Sequence, residues 1–265
     1  MSETILITGA AQRVGLHCAL ALRSQGYAVV ATYRQEKPGL AELRDAGVRC
    51  IPCDFDQPSA VMTLVQAVNA ESTSLRAIIH NASSWQADAL LPCLQSDVTA
   101  KHGKCLDAVA TTATPIETQL AKDAAIFDAM MHIHAKVPYL LTRALLPNLL
   151  ANGNADVIAL TDFVASVGSS KHMAYAASRA AMENMVLSMS RQLAPNIKVN
   201  AIAPALLLFN QHDDAEYRQK ALKKSLLQCE PGSQEVVNSI NFLLNSQYVT
   251  GRVLALDGGR HLNLP

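Results

Sequence analysis

Residues 8–15 read TGAAQRVG, a glycine-bearing turn of the kind that can hold phosphate. The turn follows the apolar run Ile5-Leu6-Ile7 and leads into Leu16-His17-Cys18-Ala19-Leu20-Ala21-Leu22, so a buried strand is expected to pass directly into a helix. Backbone N–H groups point outward at such a junction, and the helix dipole favours negative charge there. Gly9 can take a conformation closed to other residues, and Gly15 lets helix and strand pack closely; Gln12 and Val14 complete the turn. The dinucleotide pattern G-x-G-x-x-G is incomplete, with Arg13 standing where a middle glycine often sits. A second cation follows the next apolar run. After Thr32-Tyr33-Arg34 no acid occurs before Glu36 to hold a ribose 2′-hydroxyl, whereas Arg34 offers a planar fork suited to a 2′-phosphate. With Arg13 as a further positive charge near the phosphates, NADP(H) is expected over NAD(H). Asp54 and Phe55, after the third run, are placed to reach the adenine edge.

These residues need elements to carry them. Seven apolar, β-branched runs recur at 4–8, 28–33, 49–53, 77–80, 156–161, 198–202 and 253–256, mostly separated by helical periodicity. Near-continuous apolar strands alternating with helices predict an α/β doubly wound Rossmann fold, a seven-stranded parallel sheet covered on both faces. Ligands in such sheets bind beyond the carboxyl ends of the strands. At 265 residues and 50% hydrophobic, the chain is read as a single domain over 1–265, interrupted by an insertion at about 86–125. Lys+Arg and Asp+Glu both total 22, so no charge bias points to nucleic acid or a membrane surface. Apolar stretches fall short of a transmembrane span, and the first strand begins at once, so a cytoplasmic chain is expected. Cys50-Ile51-Pro52-Cys53 has C-x-x-C spacing without a second pair, which favours structural cysteines in a reducing compartment.

TGAAQRVG, the CDFD turn at 53–56, HNASSW at 80–85, YAASR at 175–179 and the VTGRVLALDGG ending together resemble the short-chain dehydrogenase/reductase superfamily. Within it, TG-x3-R-x-G, the N-A-S-S-aromatic run and an aspartate before the tyrosine motif are similar to the pteridine reductases. FNQHDDAEYRQKAL (209–222) and DGGRHL (257–262) look like a bacterial branch that reduces dihydromonapterin.

The resemblance implies an NADPH-dependent oxidoreductase reducing a dihydropterin, dihydromonapterin or dihydrofolate, to its tetrahydro form. Tyr175 would act as general acid. Asp162, where many members carry serine, would deliver a proton to a ring nitrogen if burial raises its pKa. Trp85, the only tryptophan, would sandwich the pterin against the nicotinamide, a contact that suits a flat heteroaromatic ring. Asn81, Ala82 and Ser83 would line the cofactor, with Ser83 touching the phosphates or the pterin amino group, and Pro204 would meet the carboxamide side of the nicotinamide.

Two positions depart from the family pattern. Arg179 replaces the usual lysine four residues after the tyrosine. It shares a helix face with Tyr175, could lower the phenol pKa and hold the nicotinamide ribose, but stays protonated. His134 aligns with an asparagine that props a relay water; an imidazole with a pKa near 6.5 would make that function pH-sensitive. Lys136 is a candidate substitute for the missing lysine charge. His132 and His134 lack a third ligand nearby, so no metal is expected. The insertion is read either as a solvated excursion or as a flap over the pterin, and the segment 205–225 as a substrate cap. A homotetramer is implied, built on 182–189 and 254–256, unless those residues are core. Two other functions stay open: an NADPH-dependent carbonyl or 3-oxoacyl reductase, which a carboxylate at 162 opposes, and an NADPH-binding sensor or scaffold.

Overall fold

The computed structural model describes residues 2–88 and 116–263. In chain order, β1 (Thr4–Ile7), α1 (Arg13–Ser24), β2 (Ala28–Tyr33), α2 (Gly39–Asp45), β3 (Arg49–Pro52), α3 (Ala60–Glu71) and β4 (Ala77–His80) form the first half. Then follow α4 (Ile116–Met131), a π-helical turn (His132–Lys136), α5 (Val137–Ala144), α6 (Leu146–Asn152), β5 (Ala155–Leu160), α7 (Val164–Val167) and α8 (Met173–Leu193). β6 (Ile197–Pro204), α9 (Ala215–Leu222), α10 (Gln234–Asn245), β7 (Val253–Leu256) and a 3-10 turn (Arg260–Leu262) close the chain. All seven expected strands are present. β6 runs to Pro204, beyond the expected end at 202, because Ala203 and Pro204 pair with Ala255 and Leu256 of β7.

The strands are all parallel, in the order β3-β2-β1-β4-β5-β6-β7, so the order reverses between β1 and β4. Period-two alternation explains the two cores. Ile5 and Ile7 of β1 face α1, α2 and α10 through Leu22, Leu43 and Ile240; Leu6 faces α3, α5 and α8 through Leu64, Leu141 and Val186. Met182 and Met189 of α8 belong to this second core, which removes them from the expected subunit interface; Leu187 on the same helix is exposed. At the opposite end of the sheet from the switch point, Asp156 is fully buried and takes hydrogen bonds from Arg76 and from Lys198, the latter at 2.8 Å. Arg76 also donates to Leu244 O at 2.5 Å and Lys198 to Leu243 O at 3.2 Å, tying β4, β5 and β6 to the end of α10.

Of the insertion, residues 89–115 lie outside the described residues, and with them most of the flap reading. Residues 116–125 belong to α4, and 86–88 run to the start of α8. No helix among the described residues is long and apolar enough to cross a membrane.

Candidate active site

The glycine turn sits at the switch point because β1 and β4 are stitched together there. Thr8 Oγ1 accepts from the N–H groups of Asn81 and Ala82, each at 3.0 Å. The Asn81 amide donates back to Thr8 O at 3.0 Å and Gly9 O at 2.7 Å, so its side chain fastens the turn. A Cβ at Gly9 would lie 2.7 Å from Ala82 Cα, and Gly9 has φ +69°; both require glycine. At Gly15 an added Cβ would meet Gly9 O at 2.6 Å. Arg13 takes φ +53°, the left-handed shape that a middle glycine would adopt without cost. The N-cap residue Gln12 makes no side-chain cap, leaving the first N–H groups of α1 open to an anion.

This turn borders a cavity of about 760 Å³. Gly9, Gln12, Arg13, Val14, Gly15, Tyr33, Arg34, Asp54, Phe55, Asn81, Ala82, Ser83 and Trp85 line it; among the expected cofactor residues, Tyr175, Arg179 and Pro204 do not. Arg34 is more than half exposed and 3.7 Å from Asp56. Lys37 and Asn210 also line the cavity and were not singled out from the sequence. Lys37, three residues beyond Arg34, was a legible signal; Asn210 was not, because its partner is remote. Arg13 donates to Asn210 Oδ1 at 2.7 Å and Leu208 O at 3.3 Å, which straps the 205–225 segment to the glycine turn. Phe55 is buried, and its carbonyl meets His132 Nε2 at 2.7 Å.

Beyond the cavity stand the titratable groups. Asp162 follows β5 and Tyr175 lies in the first turn of α8; the phenol donates to Asp162 Oδ2 at 2.9 Å. Asp162 Oδ1 accepts from Val164 N–H. The Arg179 guanidinium lies 5.0 Å from the Tyr175 ring centre, yet burial outweighs it and the phenol pKa is raised, contrary to the lowering expected from the cation. Arg179 is itself buried: it donates to Leu160 O at 2.8 Å and to Ser83 Oγ at 2.6 Å, while its Nε has no partner. Ser83 is thus drawn toward Arg179. Pro204 ends β6, its carbonyl accepting from Phe163 N–H at 2.9 Å. Trp85 stands on the cavity rim, 67% exposed, edge-on to His172 with ring centres 5.2 Å apart.

His134 corrects its expectation. It sits in the π-helical turn, a distortion frequent at functional sites, and is 1% exposed. Nε2 accepts from Ser84 N–H at 3.3 Å and lies 3.1 Å from Ser83 Oγ; Nδ1 lies 2.8 Å from Ser178 Oγ, which donates to Tyr175 O. These contacts assign the proton to Nδ1 and occupy both nitrogens, so the ring braces Ser83 and α8. Burial, with Arg179 adding to it, pushes the pKa down to about 2, so no titration near 6.5 occurs there. Among the described residues no three His, Cys, Asp or Glu side chains converge as a metal site.

His80, whose Nε2 is 2.8 Å from Thr142 Oγ1, is likewise pushed down by burial to about 3. Above pH 6.5 both imidazoles are neutral folded and unfolded, so stability is full. Below it the unfolded chain takes protons that the folded chain refuses, costing about 1.4 kcal/mol per histidine per pH unit. The urea midpoint is therefore expected to fall between pH 6.5 and 5.5, and a flat profile contradicts these burials.

A parallel seven-stranded sheet with a glycine turn at its switch point and a phenol beyond β5 defines a class. The short chain dehydrogenase pattern matches residues 3–215, and the chain belongs to that family. It is 46% identical over 261 residues to a dihydromonapterin reductase of Enterobacter sp. (strain 638), covering 98% of this chain and 97% of that one. A protein of the same description from Escherichia coli O6:H1 is 45% identical over 263 residues, 98% of each chain. Among solved structures, FolM alternative dihydrofolate reductase 1 from Brucella suis, in complex with NADP, superposes with a TM-score of 0.79. It is 23% identical over 99% of this chain and 96% of that chain, a likeness of fold.

Proposed function

We propose that this chain reduces a dihydropterin to its tetrahydro form with NADPH. The observation that carries the reading is the pairing of Asp162 and Tyr175 at 2.9 Å beyond β5, with Trp85 exposed on the neighbouring rim. Relatives described as dihydromonapterin reductases, at about 45% identity over nearly full length, support the same substrate class. A dinucleotide fits the open N-terminus of α1, the cavity beside it and the two glycines that admit no side chain. When bound, NADPH supplies a hydride for the pterin imine carbon. The chain's own part is the proton: the ring nitrogen beside that carbon gains an electron pair, and the Asp162–Tyr175 pair protonates it. A raised phenol pKa keeps that proton on Tyr175 at neutral pH. Trp85 offers the ring a face to stack on.

The test is NADPH oxidation by the purified protein with dihydromonapterin, dihydrofolate and 3-oxoacyl thioesters side by side. Turnover of the dihydropterins supports the reading. Turnover of the oxoacyl substrates alone makes it a carbonyl reductase, and tight NADPH binding without any turnover makes it a binding protein.

Arg34 and Lys37 line the cavity, and no acid follows β2 before Glu36, which supports a 2′-phosphate site with Asp56, 3.7 Å from Arg34, as the neighbour a phosphate would displace. Arg34→Ala is expected to raise the KM for NADPH about tenfold, the loss of one charge-assisted contact, while NADH changes less than twofold. Equal effects on both cofactors would remove Arg34 from 2′-phosphate recognition.

A further inference from the structure

Asp88 lies eight residues beyond the end of β4, and both of its carboxylate oxygens are used. Oδ1 accepts from Met173 N–H and Oδ2 from Ala174 N–H, each at 2.6 Å, while Asp88 N–H donates to Lys171 O at 3.1 Å. The helix so closed is α8, 21 residues long, whose own N-cap His172 makes no side-chain cap. A residue 85 positions upstream therefore satisfies two orphan donors at the positive end of the helix that carries Tyr175 and Arg179. The residues just after β4 are fastened too: Asn81 binds the glycine turn, and Ser83 and Ser84 meet Arg179 and His134. Trp85 lies between these anchors, with no large burial of its own.

We propose that Asp88 is a positioning residue whose clamp on the first turn of α8 holds Trp85, which packs edge-on to His172, in a set place relative to Tyr175 on that helix. Loosening that clamp frees Trp85 from α8 without touching the glycine turn. Misplacement of a stacking ring by an ångström weakens substrate capture and alignment while cofactor binding persists.

The kinetic arm rests on the dihydropterin reading; the spectroscopic arm does not, because Trp85 is the only tryptophan in the chain. Asp88→Ala is expected to raise the KM for dihydropterin about tenfold, with the NADPH Kd within twofold of wild type and the indole fluorescence anisotropy lowered. Asp88→Asn, which keeps one carbonyl acceptor, is expected to recover most of both readouts, and it carries the test if the alanine variant does not fold. Unchanged KM and anisotropy in Asp88→Ala overturn the proposal. So does a parallel rise of KM and NADPH Kd in both variants, which signals a general loss of structure. If the wild type turns over no dihydropterin, the substrate reading fails; a lowered anisotropy in Asp88→Ala then still upholds the clamp, and an unchanged one still overturns it.

Discussion

Tyr175→Phe is expected to lower kcat for dihydropterin reduction by about 10²- to 10⁴-fold, the range for loss of a positioned general acid. The substitution removes only the hydroxyl that donates to Asp162 at 2.9 Å. The ring keeps its edge contact with His134, 5.2 Å between centres, and its place 5.0 Å from the Arg179 guanidinium. NADPH binding and thermal stability should therefore stay near wild type, and KM should move only a few-fold. Stopped-flow measurement of NADPH consumption separates the chemical step from release. Retention of a third or more of the wild-type rate would show that the proton comes from elsewhere.

Asp156→Ala is expected to destabilise the chain by about 3–5 kcal/mol, as when one partner of a buried ion pair is removed. Arg76 loses its buried anion at 4% side-chain exposure and Lys198 at 13%. The long lysine can reach toward water, whereas the guanidinium also holds Leu244 O and cannot turn away without losing it. Combining Asp156→Leu with Arg76→Met should restore much of the loss, because replacing a buried pair by apolar groups removes the stranded charge. Urea denaturation of Asp156→Leu, Arg76→Met and their double variant measures the coupling. An additive double variant would mean that the two residues do not act as a pair.

The sheet was legible because its central strands are buried on both faces, so they read as apolar runs such as Ile5-Leu6-Ile7 or Ala77-Ile78-Ile79. The glycine turn was legible because it is local: strand, turn and helix are contiguous. Contacts made across the fold were not. Arg13 was expected over the phosphates, but its reach to Asn210 spans 197 residues, and no spacing rule foretells that. Arg179 and His134 were read from their chemical types, as a cation able to lower a phenol pKa and an imidazole near neutrality. Burial decides both cases, and burial depends on neighbours such as Ser83, Ser178 and Leu160 that meet only in three dimensions. Asp88 carried no local sign of helix capping because the helix it closes begins at Met173.

The long sequence separations within the site bear on how it comes into being. Arg179 meets Ser83 across 96 positions, His134 meets Ser83 across 51, and the asparagine that secures the nucleotide turn arrives 73 positions after Thr8. Parallel strands already demand distant pairings before any reward, which slows folding. The nascent chain thus carries the residues of its glycine turn at the outset, but the turn is not fastened until β4 brings Asn81, and Tyr175 does not meet Asp162 until β5 and α8 have docked.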